Sequence, residues 1–133
     1  MARSNPAIGT KHAADASAKS AAYGDGMLHP APSGSVVVVG AGMVAHRFVE
    51  SLTSRDAEGR WSVTVLGDEA RGPYDRVGLT GIFSGKTPDD LALDPAVLAH
   101  ERVRVKTDAR VTKIDRAART VTTAGGSTHA YDR

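Results

Sequence analysis

Ser35-Val-Val-Val-Val-Gly-Ala-Gly-Met-Val-Ala45 passes from a β-branched apolar run, through a glycine turn, into a helical pattern. A run such as Ser35–Val39, almost wholly apolar, suits a strand covered on both faces of a parallel sheet. Beyond the turn, Met43, Val44, Phe48, Val49 and Leu52 recur at helical spacing, which predicts a helix from Met43 to about Ser54. Asp56 to Arg60 reads as a polar turn, and Trp61-Ser-Val-Thr-Val-Leu66 as a second strand. Strand, turn, helix and strand make a βαβ unit, the opening of an α/β, Rossmann-like fold.

The turn itself carries the chemistry. Gly40-Ala41-Gly42-Met43-Val44-Ala45 is a G-x-G-x-x-A between a strand and a helix. The first glycine permits the tight turn, the second lets the backbone approach a pyrophosphate, and the alanine lets helix and sheet pack closely. Amides at the helix start, with the helix dipole behind them, favour phosphate charge. Gly40, Ala41, Gly42, Met43 and Val44 are therefore the candidate dinucleotide-binding residues of the turn. An acid after the second strand is expected to accept from the adenosine ribose. The position directly after that strand is Gly67, but Asp68 and Glu69 follow at once, and Glu69 is the preferred acceptor.

Outward from this unit, Gly67 to Gly85 reads as a glycine-dense functional loop. Thr87-Pro88 and Asp94-Pro95 have the form of helix starts, the second running to about His100. Val103–Lys106, Val111–Ile114, Thr120–Thr123 and Ser127–Tyr131 read as strands, giving a small β-meander. On the other side, residues 1–34 are rich in Ala, Ser, Gly and Pro and lack an apolar stripe. They read as a disordered, solvated extension, with too little arginine for a transit peptide. The expected organisation is a tail over 1–34 and a partial Rossmann-like domain over 35–133.

Composition narrows the function classes. At 133 residues there is room for one domain. A net charge of +2 with interleaved signs, and 5% aromatics, argue against nucleic acid as a partner. With no cysteine, disulfides, thiol chemistry and cysteine-held metal or iron–sulfur sites are excluded within these residues. His12, His100 and His129 lack ligand-like spacing, so no metal is expected. His46 and Arg47 fall on the first helical turns, where a helix-surface or capping role outweighs proton transfer to a ligand. No apolar run is long enough to span a bilayer, so no membrane is expected and the address is cytoplasmic.

The segment Gly67-Asp-Glu-Ala-Arg-Gly-Pro-Tyr-Asp-Arg-Val-Gly-Leu79 adds specificity. It resembles the corresponding loop of the flavin-dependent pyridine-nucleotide–disulfide oxidoreductase superfamily, especially its ferredoxin-reductase-like branch. Val37 to Glu50 together with Tyr74 to Leu79 look like the large-subunit family of assimilatory NAD(P)H nitrite reductases. Asp115-Arg116, Thr120-Val121 and Tyr131-Asp132 extend the resemblance over about Ser35 to Arg133.

The resemblance implies that this first Rossmann unit binds FAD. Gly40, Gly42 and Met43 would face the pyrophosphate, Glu69 the ribose, and Arg76 the phosphates or adenine; an ion pair of Arg76 with Asp75 or Asp89 is the plainer alternative. Backbone around Ala109 to Val111 would flank the adenine. NAD(P)H binding, iron–sulfur and sirohaem modules would belong to the remainder of the parent enzyme, with which this chain would assemble if the protein is split. In that family a strand follows the Tyr-Asp-Arg end and closes the sheet, so the domain is expected to be incomplete at its C-terminus and inactive alone. The ferredoxin-reductase-like branch has prolines and a Ser-Lys after the arginine, whereas here Val77-Gly-Leu-Thr-Gly81 follows and Lys86 is the next lysine. That departure favours the nitrite reductase resemblance. A ferredoxin- or rubredoxin-reductase-like flavoprotein, and a non-catalytic nucleotide-binding remnant, are the rival readings.

Overall fold

The computed structural model describes residues 31–133, so all but the last four residues of the expected N-terminal extension lie outside the described residues. Strand β1, Gly34–Val39, leads through the glycine turn into helix α1, Met43–Arg55, and strand β2, Trp61–Leu66. The predicted βαβ unit is thus present, and β1 and β2 pair in parallel with Val36 opposite Val63 and Val38 opposite Val65.

One expectation needs correcting. The strand at Val103–Lys106, here β3, is not part of the meander; it joins β2 in parallel, giving a sheet ordered β1-β2-β3. Its register explains why. Val103 lies opposite Val63, so Val36, Val63 and Val103 form one row across the sheet. Val49 of α1 packs on that row and is fully buried, with Leu52, Val97 and Leu98 closing the edges of the cluster. A fully buried valine contributes about 1.5–3 kcal/mol, so this row outweighs the closeness in sequence that placed the strand in the meander.

The true meander comprises β4, Val111–Asp115, β5, Thr120–Thr123, and β6, Thr128–Ala130, all antiparallel. It packs through Val121 and Ala109 onto Leu66, with Val37 and Tyr131 alongside, and so covers the opposite face of the parallel sheet. The apolar run of β1 is accordingly contacted from both sides. The outer edge of β1 is met by Arg133, whose amide donates to Ser35 O at 3.1 Å and whose carbonyl accepts from Val37 N at 3.1 Å. Those two bonds are the pattern of a parallel ladder. Asp132 fixes the register, its carboxylate accepting from Ser35 N at 2.8 Å and Ser35 Oγ at 3.0 Å.

The Gly67–Gly85 segment is less irregular than expected. Residues Val77–Ser84 form a 3₁₀ helix, closed by Gly85 in a left-handed conformation at φ 91°. Thr87 and Asp90 cap one another at the next short turn, and Asp94 caps α2, Pro95–Leu98, by accepting from Ala96 N at 2.9 Å. Both proline-led starts are therefore real, but each yields a turn or so of helix.

Candidate functional site

Gly40 sits at the end of β1 with φ of 103°, a backbone that a side chain rarely adopts. Its amide donates to Leu66 O at 2.8 Å, which ties the turn to the end of β2. Gly42 is the N-cap of α1, and its carbonyl accepts the first helical bond from His46 N at 3.0 Å. No side chain caps this helix start, and no acid lies in its first turn. The positive end of α1 is thus left for an external acceptor, in the manner of an anion-binding terminus. A Cβ built on Gly42 would meet no atom within 4 Å, so the space before the turn is open.

Directly after β2 the backbone closes on itself. A Cβ at Gly67 would lie 2.8 Å from Ala41 Cβ, which leaves no room for a side chain there. The acid is therefore displaced to Asp68 and Glu69. Their loop is held by the neighbouring backbone, with Ala109 N donating to Gly67 O at 2.7 Å and Asp108 N to Glu69 O at 3.1 Å.

A pocket of about 180 Å³ gathers Gly40, Ala41 and Gly42 with Asp68 and Glu69, and adds Arg71, Tyr74 and Arg76. The structure thus brings together most of the residues singled out from sequence. Arg76 pairs with Glu69, not with Asp75 or Asp89 as the plainer alternative had it. Its guanidinium also lies 5.4 Å from the Tyr74 ring centroid, and Arg71 stands over the same ring at 4.6 Å. Arg71 is further anchored by donating to Pro88 O at 3.2 Å. Sequence reasoning passed over Arg71 and Tyr74 as site residues; their proximity to Glu69 depends on the loop doubling back, although the quoted segment contained both.

Met43 and Val44 lie on the other side of the turn. They border an open apolar groove of about 700 Å³ that runs along Val36–Val39 and is also lined by Phe48 and Arg76. Val44 is 84% exposed and Phe48 44%. Val111 is not brought to either space: its backbone pairs with Thr123 and its side chain packs beside Leu66, Ala109 and Val121. Of the stretch Ala109 to Val111, Ala109 bonds to the acid loop, as does Asp108 just before it, whereas β4 turns away to join the meander.

His46 Nε2 donates to Asp94 O at 2.9 Å, and Arg47 pairs with Glu50, so both serve the helix surface. Among the described residues no group of His, Cys, Asp and Glu is arranged to hold a metal ion, and no helix is long and apolar enough to cross a membrane.

No protein-family model matches the chain. Over 99 residues it is 34% identical to the NAD(P)H nitrite reductase large subunit of Klebsiella oxytoca, covering 74% of this chain and 10% of that protein. It is 31% identical over 99 residues to the NADH nitrite reductase large subunit of Escherichia coli K12, covering 74% of this chain and 12% of the relative. The chain thus spans about a tenth of the length of these curated relatives. In three dimensions it is similar to putidaredoxin reductase in its covalent complex with putidaredoxin, with a TM-score of 0.63 and 23% identity over 77% of this chain and 25% of that one. That likeness establishes the fold.

Proposed function

The chain is a sequence relative of the NAD(P)H nitrite reductase large subunits with the Rossmann-like fold of the flavoprotein reductases, and from that premise we propose that it forms the FAD-binding unit of such an enzyme. The observation that carries the reading is the single pocket in which the glycine turn, two acids and an arginine converge. Gly40, Ala41 and Gly42, with the uncapped start of α1 at Met43 and Val44, would hold the pyrophosphate. Glu69, with Asp68 beside it, would accept from the ribose hydroxyls, and Arg76 would offer a fixed planar cation to the phosphates. The open space before Gly42 supports the fit, since a backbone approach needs that room.

Bound there, the flavin would take a hydride from reduced nicotinamide and pass electrons onward, toward nitrite in the whole enzyme. The protein's own part is binding and orientation. The rest of the enzyme would supply the nicotinamide site and the metal centres. It would seat along β1 and α1, where the groove lined by Val36–Val39, Met43, Val44 and Phe48 is apolar and open. A cytoplasmic protein without a nucleic-acid partner fits this role.

The test is Gly42→Val, assayed by quenching of flavin fluorescence on titrating the protein into FAD. Because a Cβ at Gly42 touches nothing, folding should be preserved while affinity falls by at least about tenfold, a loss of 1.4 kcal/mol or more. Unchanged affinity in a folded variant would show that the turn is purely structural.

A further inference from the structure

The two charged side chains assigned to opposite parts of the ligand are, in this structure, paired with each other. Glu69, the ribose acceptor, holds the Arg76 guanidinium. We propose that this ion pair is an exchangeable lock, which makes the pocket select ligands carrying a ribose and a diphosphate on one molecule. The proposal rests on the nucleotide reading above and adds a specificity mechanism to it.

The argument follows from what each half of a ligand must displace. A diphosphate without a sugar can draw Arg76 away only by leaving the Glu69 carboxylate without its cation, close to a second anion. Adenosine without phosphate can offer hydroxyls to Glu69 only in competition with the charged guanidinium. A nucleoside diphosphate satisfies both at once: its hydroxyls replace the guanidinium at Glu69, and its phosphates replace the carboxylate at Arg76. Charge-assisted bonds are thereby exchanged, not lost.

The surroundings allow such an exchange. Arg76 and Glu69 side chains are 61% and 44% exposed, so their attraction is screened and the pair can open. The Tyr74 ring beneath Arg76 provides a face on which the guanidinium can shift while keeping a cation–π contact. Arg71, over the same ring, is tethered to Pro88 O and so stays in place. Arg76 also borders both the acid-lined pocket and the groove beyond Gly42, which puts it within reach of the turn.

The experiment is a set of titrations of the full chain with inorganic diphosphate, adenosine and ADP, followed through the amide resonances of Gly40 and Gly42 at low salt. Glu69→Gln should raise diphosphate affinity, by up to about fivefold for an exposed pair, and lower affinity for adenosine and ADP. In an Arg76→Gln background the same Glu69→Gln change should give diphosphate a clearly smaller gain, because only the repulsion of the carboxylate is relieved and no pair is left to open. A gain of undiminished size in that background would mean simple charge repulsion and would overturn the lock. So would an unchanged or reduced diphosphate affinity in Glu69→Gln alone. Failure of the wild-type chain to bind ADP at all would instead overturn the nucleotide reading, and the lock with it.

Discussion

Gly67 occupies the position directly after β2 at which a ribose-binding carboxylate is expected, and the 2.8 Å approach to Ala41 Cβ explains its absence there. Replacing Gly67 by Ala should force the glycine turn away from β2. Overpacking of this kind costs about 1–3 kcal/mol, partly offset by the reduced freedom of the unfolded chain. Chemical denaturation should show that loss, and Gly67→Ala combined with Ala41→Gly should recover most of it. If the single variant is as stable as the parent, the close approach does not hold the turn. Gly42 behaves in the opposite way, having open space before it, so substitutions there should spare folding and act on the proposed ligand. The two glycines, separated by α1 and β2, thus have different reasons, and only that of Gly42 is visible in a motif.

At the scale of elements, Asp56 joins three of them. It stands at the C-terminal end of α1, accepts from Arg60 N at 3.0 Å and Trp61 N at 2.9 Å at the start of β2, and pairs with Arg102 just before β3. Arg102 also donates to Asp56 O at 3.1 Å. Burial would push the carboxyl up, but the amides of Trp61 and Arg60 and the Arg102 guanidinium outweigh it and hold the pKa below the usual value. Asp56→Asn should therefore lower the melting temperature by several degrees, and in the Arg102→Met background the further drop should be much smaller. Equal drops in both backgrounds would show that the pair is not coupled. From sequence this stretch was a polar turn, which was right about its shape and silent about its partner 46 residues away.

For the molecule as a whole, acid stability follows from the same carboxylates. Asp132 is also held below the usual range, first by the Ser35 amide and hydroxyl, with Arg119 and Arg133 adding to it. Asp115 is lowered chiefly by Ala118 N, and Asp90 by Thr87. A folded pKa below the unfolded value of 3.8 contributes stability above that value and loses it as pH falls through the folded pKa. Thermal unfolding should be insensitive to pH from neutrality to about pH 5 and fall progressively in more acid solution. Asp132→Asn should flatten part of that fall, because Asp132 joins the last residues to β1. A steady decline beginning near neutrality would overturn this account, since these carboxylates are fully ionised there.

The βαβ unit was legible because its signals are local: an apolar run, a glycine turn and helical spacing each lie within a few residues of one another. The bounds of β2 and β5 and the caps at Thr87 and Asp94 were legible for the same reason, whereas the grouping of Gly40 and Gly42 with Asp68 and Glu69 followed from the parallel βαβ topology, which sets the ends of β1 and β2 side by side. What the tertiary structure decided were relations between distant residues. Val103–Lys106 became the third parallel strand because Val103 falls in the row of Val36 and Val63 beneath Val49, a burial that no window along the chain contains. Glu69 was held against Arg76, Arg71 was laid over Tyr74, and Val111 was carried into the meander. Periodicity reports which face a residue presents; only the packing of faces, driven by the apolar surface each must bury, determines what that face meets.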